Sequence, residues 1–256
     1  MLNLQSNTIM KLKCLGSSSS GNCYLLQSEK ETLIIEAGVR IAEIKKSLSF
    51  SLKSVAGCVV THRHRDHSAS VVELCKLGIR VLALQDVFDS FADADYRLNV
   101  FGTAIEPMKG YKLGGFKIFA FSAVHDVECL GFVITHDECG KLLFMTDSVT
   151  LNYRFDALRH ILVEANYRDD ILQYNIDNGI EPTTKRERLL GTHCELSTTK
   201  RILRSLDLSH CADVVLLHLS DHNADAEEFK QEIEAATGKM TYVAHKGLEI
   251  ELTAPF

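Results

Sequence analysis

Residues 61–68 read THRHRDHS and directly follow the apolar run GCVV at residues 57–60. Within six positions the stretch holds three histidines and an aspartate: His62, His64, Asp66 and His67. Side chains so close in sequence can face one point only if the backbone leaves a strand and turns. Imidazoles and a carboxylate in this arrangement suit a divalent transition metal, and two histidine pairs suit two metals better than one. A polar surface loop is the alternative, but it does not account for this clustering directly after a buried strand.

Three more ligand-type side chains stand alone, each after an apolar run of strand type: His125, Asp147 and His218. Strand ends on one edge of a sheet gather around a single cleft, so we expect these side chains to join the histidines of residues 61–68. A buried strand end is a poor place for an unpaired charge, and Asp147 therefore needs a partner there.

Strand-like runs come in groups ahead of the helical segments and do not alternate strictly with them. Helical spacing of apolar residues marks four segments: 41–48, 68–77, 168–177 and 197–206. Asn223 is the expected N-cap of a last helix that ends at Gly238. Two packed β-sheets with helices outside account for this order. With no internal repeat and no proline- or glycine-rich linker, the simplest organisation is a single domain over residues 1–256.

Composition narrows the class of protein. The net charge of −6 argues against broad electrostatic wrapping of nucleic acid, although two bound divalent ions would cancel much of it at the site. The sequence has no run of eighteen apolar residues and no secretory signal, so we expect no membrane span and a cytoplasmic location. The eight cysteines are scattered singly without a CxxC motif, which is typical of small buried hydrophobic residues in a cytosolic chain.

The HxHxDH motif at residues 62–67, followed in order by His125, Asp147 and His218, resembles that of the metallo-β-lactamase-fold hydrolases. The resemblance covers nearly the whole chain. It implies an α+β fold, a four-layer αββα sandwich, which agrees with the grouping of the strands. It also implies two divalent metal ions as cofactors. Histidine-rich ligands with a bridging carboxylate suit Zn²⁺, and Mn²⁺ or iron are alternatives.

By this resemblance the seven ligands form two groups joined by one carboxylate: His62, His64 and His125 for the first ion, Asp66, His67 and His218 for the second, and Asp147 as the bridge. Two such cations lower the pKa of a shared water to roughly 7, giving a metal-bridging hydroxide at neutral pH. Asp66 binds a metal and can accept a hydrogen bond from this hydroxide, which makes Asp66 a catalytic residue. Hydrolysis is therefore favoured over redox chemistry.

Several finer features resemble the YycJ/WalJ-like branch of this superfamily: GSSSSGN at residues 16–22, VEANY at 163–167, HLS at 218–220 and AHKGLEI at 244–250. Members of this branch are cytosolic and are linked to DNA exonuclease activity. The resemblance implies a phosphodiesterase or nuclease acting on nucleic acid. Glu36 stands where the branch usually has aspartate, and its longer side chain can still hydrogen-bond a ligating histidine.

Three residues outside the ligand set are candidates for contact with substrate. His193 precedes a helix that starts at a serine, and in relatives that act on phosphodiesters such a histidine sits by the scissile phosphate, so we expect it to hold the phosphate or protonate the leaving oxygen. His245 ends a strand-like run and is expected to line the cleft. Ser19 lies in a loop that could present backbone N–H groups to a phosphate or could simply be a turn.

A group of cations surrounds His193 in sequence: Lys185, Arg186, Arg188, Lys200, Arg201 and Arg204. On an acidic protein, this basic strip is what an anionic polymer would need beside the site, while a solvated helical face is the plain alternative. Two other functions stay open: a hydrolase of small esters, thioesters or lactones on the same two metals, and a non-catalytic metal-binding scaffold.

Overall fold

Two β-sheets form the framework of the protein. The computed structural model describes residues 9–91 and 94–254. The strands in chain order are β1 (Met10–Gly16), β2 (Cys23–Gln27), β3 (Thr32–Ile35), β4 (Val55–Val59), β5 (Val81–Ala83), β6 (Gly102–Ala104), β7 (Lys109–Leu113), β8 (Phe116–Ala123), β9 (Cys129–His136), β10 (Gly140–Met145), β11 (His160–Glu164), β12 (Asp213–Leu217), β13 (Met240–Val243) and β14 (Glu249–Leu252).

Helices connect the strands and begin and end as follows: α1 (Ile41–Ser47), α2 (Arg65–Ser68), α3 (Val71–Lys76), α4 (Gln85–Asp89), α5 (Arg97–Phe101), α6 (Asp169–Asp177), α7 (Thr184–Thr192), α8 (Leu196–Ser205) and α9 (Ala226–Thr237). Over the residues that the structure describes, none of these helices has the length and apolar character of a membrane span.

Each sheet has an antiparallel half and a parallel half. The first sheet has the order β14-β1-β2-β3-β4-β5-β6, and pairing is parallel from β3 onward. The second has the order β13-β12-β11-β10-β9-β8-β7, and pairing is parallel from β10 to β13. Parallel neighbours need a crossover connection, which α1, α8 and α9 supply at the outer faces. This layout confirms the predicted α+β class with two packed sheets.

Alternation along β10 shows how the layers are filled. Leu142 and Phe144 point into the core between the two sheets, whereas Leu143 and Met145 point to the outer core beneath α8 and α9. Successive side chains of a strand face opposite sides, so an apolar run buried on both faces belongs to a central strand covered by helices. Each large apolar side chain buried in this way contributes about 1.5–3 kcal/mol.

The predicted last helix is confirmed at its C-terminal end and corrected at its start. Gly238 ends α9 in the left-handed conformation with φ 68°, which glycine adopts readily. The N-cap is Asp225, whose side chain accepts a hydrogen bond from the backbone N–H of Glu228 at 2.9 Å. Asn223 is instead buried, and its side-chain oxygen accepts a hydrogen bond from Asn175. Tertiary contact has therefore displaced the expected cap by two residues.

The strand directions bring one end of the fold together. Since β8 and β10 both pair antiparallel with β9, they run in the same direction, and β11 and β12 are parallel to β10. The first sheet reaches the same edge after β4, where the carbonyl of Thr61 accepts a hydrogen bond from the N–H of Leu130 at the start of β9. The ends of five strands therefore surround one cleft.

Candidate metal centre

The chain turns sharply after β4 and forms the single helical turn α2. The N–H groups of His67 and Ser68 both donate to the carbonyl of His64, and the Ser68 hydroxyl donates to the carbonyl of Arg63. These bonds close the turn, so side chains that are neighbours in sequence face the same cleft. The sequence prediction for residues 61–68 required this departure from the strand.

The first group of ligand-type side chains is made of three imidazoles. Nε2 of His62 lies 3.1 Å from Nδ1 of His64, and Nε2 of His125 lies 3.3 Å from the same atom. His125 Nδ1–H donates to the carbonyl of Thr192 at 3.0 Å, which fixes the tautomer and leaves the Nε2 lone pair facing the other two rings. The structure therefore brings together the three residues predicted to share the first ion.

The second group contains two carboxylates and two imidazoles. Nε2 of His67 lies 2.6 Å from Oδ2 of Asp147 and 3.4 Å from Oδ2 of Asp66. Nε2 of His218 lies 3.6 Å from the same Asp66 oxygen. Oδ2 of Asp147 is also 3.6 Å from Nε2 of His62, so this oxygen lies between the two groups.

The donor set fits divalent cations. In each group the ligand atoms lie within 4.8 Å of one another. Nε2 of His218 and Oδ1 of Asp147 are buried without a hydrogen-bond partner among the described residues, which is costly unless a further group binds there. Burial, together with the neighbouring His67, lowers the pKa of His62 well below its ordinary value, so that ring is in the neutral form that binds metals.

Two of these side chains stand on unusual backbone. Asp147 has φ 48° and His218 has φ 56°, both in the left-handed region that residues other than glycine seldom adopt. Each lies just past the end of its strand, where the chain must turn while the side chain stays in the cleft. Backbone strain of this kind is concentrated at functional sites.

A surrounding layer of polar groups holds the ligands in place. Oε1 of Glu36 lies 3.4 Å from Nδ1 of His67, so the longer side chain reaches a histidine of the cluster as expected. The side-chain amide of Asn166 donates to the carbonyl of His218 at 2.6 Å. The N–H of His218 donates to the hydroxyl of Ser17 at 2.9 Å. Such partners orient metal-binding side chains.

His193 stands beside the second group, against Glu164. Nδ1 of His193 lies 2.7 Å from Oε1 of Glu164 and 3.2 Å from Oδ1 of Asp147, and the ring stacks on His218 with centroids 5.2 Å apart. Burial opposes protonation, but the nearby carboxylates of Glu164 and Asp147 raise the pKa of His193 to about 10. Sequence reasoning did not single out Glu164, although it ends the apolar strand β11 and the strand-end rule that identified Asp147 would have found it.

The two groups open into a cavity of about 290 Å³, whose walls include Ser19, Asp66, Asp126, Asp147, Arg188 and His193. Ser19 lines this cavity, and its substrate-binding role stays a prediction. His245 lies elsewhere: it lines a larger cavity of about 680 Å³, which includes Ser17, Ser18 and Ser20 and so shares the serine loop. The substrate-binding role of His245 stays a prediction, and it would concern this neighbouring cavity.

Half of the basic strip is neutralised locally. Lys185 pairs with Glu181, Arg186 with Asp169, and Lys200 with Glu232. These three ion pairs favour the plain alternative, a solvated helical face, for half of the strip. Of the six cations, only Arg188 lines the metal cavity within the described residues. It is carried by α7, a helix that the apolar spacing of the sequence did not predict.

Comparison with known proteins shows what the chain is similar to. Residues 18–92 match the model of the metallo-beta-lactamase superfamily. The chain is 24% identical over 227 residues to exodeoxyribonuclease WalJ of Streptococcus pneumoniae serotype 2 (strain D39 / NCTC 7466), covering 83% of this chain and 82% of that protein. It is 21% identical over 252 residues to exodeoxyribonuclease YycJ of Bacillus anthracis, covering 94% of each.

A solved structure shows the same fold. The metallo-beta-lactamase fold protein YhfI from Bacillus subtilis superposes with a TM-score of 0.71 at 18% identity, over 95% of this chain and 99% of that one. The predicted resemblance and the predicted fold are therefore confirmed.

Proposed function

We propose that this protein of the metallo-β-lactamase fold, a metal-dependent hydrolase, cleaves phosphodiester bonds in nucleic acid and acts as a DNA exonuclease. One observation carries the proposal: Asp147 lies between two groups of ligand-type side chains, and its other oxygen faces the His193–Glu164 pair. The similarity to WalJ and YycJ, both named exodeoxyribonucleases, supports DNA as the substrate. The eight buried free cysteines suit a reducing compartment, so we propose that it acts in the cytoplasm.

We assign the ligands of two divalent cations as the sequence predicts: His62, His64 and His125 for one, Asp66, His67 and His218 for the other, with Asp147 shared. Five of the six unshared ligands are imidazoles and the sixth is a carboxylate, a set that suits Zn²⁺, with Mn²⁺ and iron as alternatives. When bound, such ions supply ionised water at neutral pH and positive charge against phosphate oxygens.

The protein's own side chains would do the remaining work. His193 holds its Nδ1–H toward Glu164, which leaves Nε2 as the ring nitrogen available to a substrate. From that position it can donate a proton to the leaving oxygen or a hydrogen bond to a phosphate oxygen. The Asp66 carboxylate, 26% exposed, can accept a hydrogen bond from the attacking nucleophile. Asp147, fully enclosed by imidazoles, keeps the two groups at a fixed separation.

A single panel of assays tests the proposal. The purified chain is analysed for metals and then given labelled single- and double-stranded DNA, RNA, and a neutral ester or lactone in the presence of Zn²⁺, Mn²⁺ or Fe²⁺. We expect two metal ions per chain and cleavage of DNA that a chelator abolishes. Hydrolysis of the ester or lactone with intact DNA would favour the small-substrate hydrolase. Bound metal without any hydrolysis would favour the scaffold.

A further inference from the structure

The cavity above the metal centre is lined by carboxylates, by imidazoles and by a single guanidinium group. Carboxylates of Asp66, Asp126 and Asp147 line it, and Arg188 is the one lysine or arginine of residues 9–91 and 94–254 that does so. A phosphodiester carries a negative charge that must be brought close to Asp126, the carboxylate of this lining that is outside the proposed ligand set. A fixed cation on the cavity wall would offset part of that repulsion.

Arg188 differs from its neighbours on α7 in having no carboxylate partner within the described part of the chain. Lys185 and Arg186, on the same helix, are both held in ion pairs by Glu181 and Asp169. The Arg188 side chain is exposed and its guanidinium group is therefore free to bind a ligand. An arginine held in an internal ion pair would not be available to a ligand.

The helix that carries Arg188 is fastened to the metal centre. Four residues further along, the carbonyl of Thr192 accepts the Nδ1–H of His125, and the Thr192 hydroxyl donates to the carbonyl of Arg188 itself. Leu189 is buried in a small core with Tyr167 and Leu172. Residues four apart lie on the same helix face, so the face that touches His125 also presents Arg188.

We propose that Arg188 binds the non-bridging oxygens of the substrate's phosphate and thereby selects phosphodiesters over neutral esters. The inference rests on the proposed function of the same site. A guanidinium group presents parallel N–H donors that match two phosphate oxygens, an arrangement that lysine cannot reproduce. Arg188 is thus a substrate-binding residue outside the proposed ligand set.

Kinetics of three variants test the assignment: Arg188→Ala, Arg188→Lys and the matched control Arg204→Ala. Arg204 is exposed on α8 and has no carboxylate partner in the described residues. Each protein is assayed with bis(p-nitrophenyl) phosphate, which is anionic, and with p-nitrophenyl acetate, which is neutral. For Arg188→Ala we expect kcat/KM for the phosphodiester to fall roughly tenfold to a hundredfold, while kcat/KM for the acetate ester stays unchanged. Arg188→Lys should recover part of the loss, and Arg204→Ala should match the wild type.

Binding supplies a readout that does not depend on turnover. The affinity of the metal-loaded proteins for a fluorescein-labelled phosphorothioate single-stranded DNA, which resists cleavage, is measured by anisotropy over a range of salt concentrations. Because Arg188→Ala loses one phosphate contact, its binding to DNA should weaken, and the slope of the log binding constant against log salt concentration should become shallower by about 0.7. Arg204→Ala should show neither change.

The outcomes separate the two proposals. If the wild type cleaves the phosphodiester and Arg188→Ala does so equally well, or if both substrates lose activity equally, the assignment of Arg188 is wrong and the proposed function stands. If the wild type hydrolyses the acetate but neither the model phosphodiester nor DNA, the proposed function fails and the role of Arg188 fails with it.

Discussion

Oδ2 of Asp147 lies 2.6 Å from Nε2 of His67, and this contact joins the two sheets at the candidate metal centre. Asp147 follows β10 of the second sheet, while His67 belongs to the helical turn that follows β4 of the first. Both side chains are buried. The site is therefore assembled only when the sheets pack together.

Replacing this shared carboxylate should remove both metals and activity together. In Asp147→Ala the two groups lose the oxygen that lies between them, and the imidazoles of His62 and His67 lose the carboxylate they share. We expect metal content by elemental analysis and hydrolysis to fall to background. Asp137→Ala, at an exposed turn residue, is the control and should retain both. Activity in a metal-depleted Asp147→Ala protein would refute the ligand assignment.

Replacing His193 should separate catalysis from metal binding. His193 touches Asp147 and Glu164 but is not among the seven proposed ligands, so His193→Ala should keep both metals. Without its proton or hydrogen bond, cleavage of a phosphodiester should slow by roughly a hundredfold or more. Unchanged turnover of bis(p-nitrophenyl) phosphate at normal metal content would exclude His193 from the mechanism.

Glu164 is expected to act on catalysis through His193, as a positioning residue, while its other oxygen accepts hydrogen bonds from the backbone N–H groups of Ser148 and Cys194. Glu164→Gln keeps the size of the side chain but loses the charge that holds the imidazole Nδ1–H at 2.7 Å. We expect turnover of Glu164→Gln to fall roughly tenfold. The double variant Glu164→Gln/His193→Ala should be no slower than His193→Ala alone, because the effects of substituting two residues that act as a unit are not additive. Additive losses in this cycle would show that Glu164 has a separate role.

Gly38 should be essential for the placement of Asp66. A Cβ at position 38 would stand 1.6 Å from the carbonyl oxygen of Asp66 and 2.8 Å from the backbone nitrogen of Asn22. Backbone cannot move aside as a flexible side chain can, so Gly38→Ala should lower the free energy of unfolding by about 1–3 kcal/mol or more. It should also weaken binding of the metal assigned to Asp66.

The matched control is Gly110→Ala, since a Cβ at position 110 meets nothing within 4 Å. Urea denaturation and metal titration of both variants provide the comparison. Equal stability and equal metal affinity for the two would contradict the close approach of Gly38 to the metal-binding turn.

The cysteines should resist alkylation in the native protein at mildly basic pH. All eight are buried and free. Burial raises the pKa of Cys75 and Cys211 to about 11 and that of Cys14 to about 12. A raised pKa keeps the thiol protonated at pH 8, and only the thiolate reacts. Iodoacetamide followed by mass spectrometry should show no adducts on the native chain at pH 8 and eight after unfolding. Rapid native modification would contradict this burial.

The sequence by itself determined the fold class and predicted which side chains would gather at the candidate metal centre. The spacing within residues 61–68 requires a turn after a strand, and His125, Asp147 and His218 each follow an apolar run. The sequence alone therefore indicates that these side chains meet at a shared edge of the sheets. These signals are local: strand periodicity and ligand-type side chains at strand ends can be read within a few residues.

Only the tertiary structure decided which side chains meet across the layers. Glu164 and His193 are 29 residues apart, and the contact of Thr192 with His125 spans 67 residues. Tertiary contact also paired Arg186 and Lys200 of the basic strip with carboxylates of other helices, and it placed Arg188 and His245 at two different cavities. The physical reason is that hydrogen bonds and ion pairs between distant elements depend on how the two sheets and the outer helices pack, which no local pattern encodes.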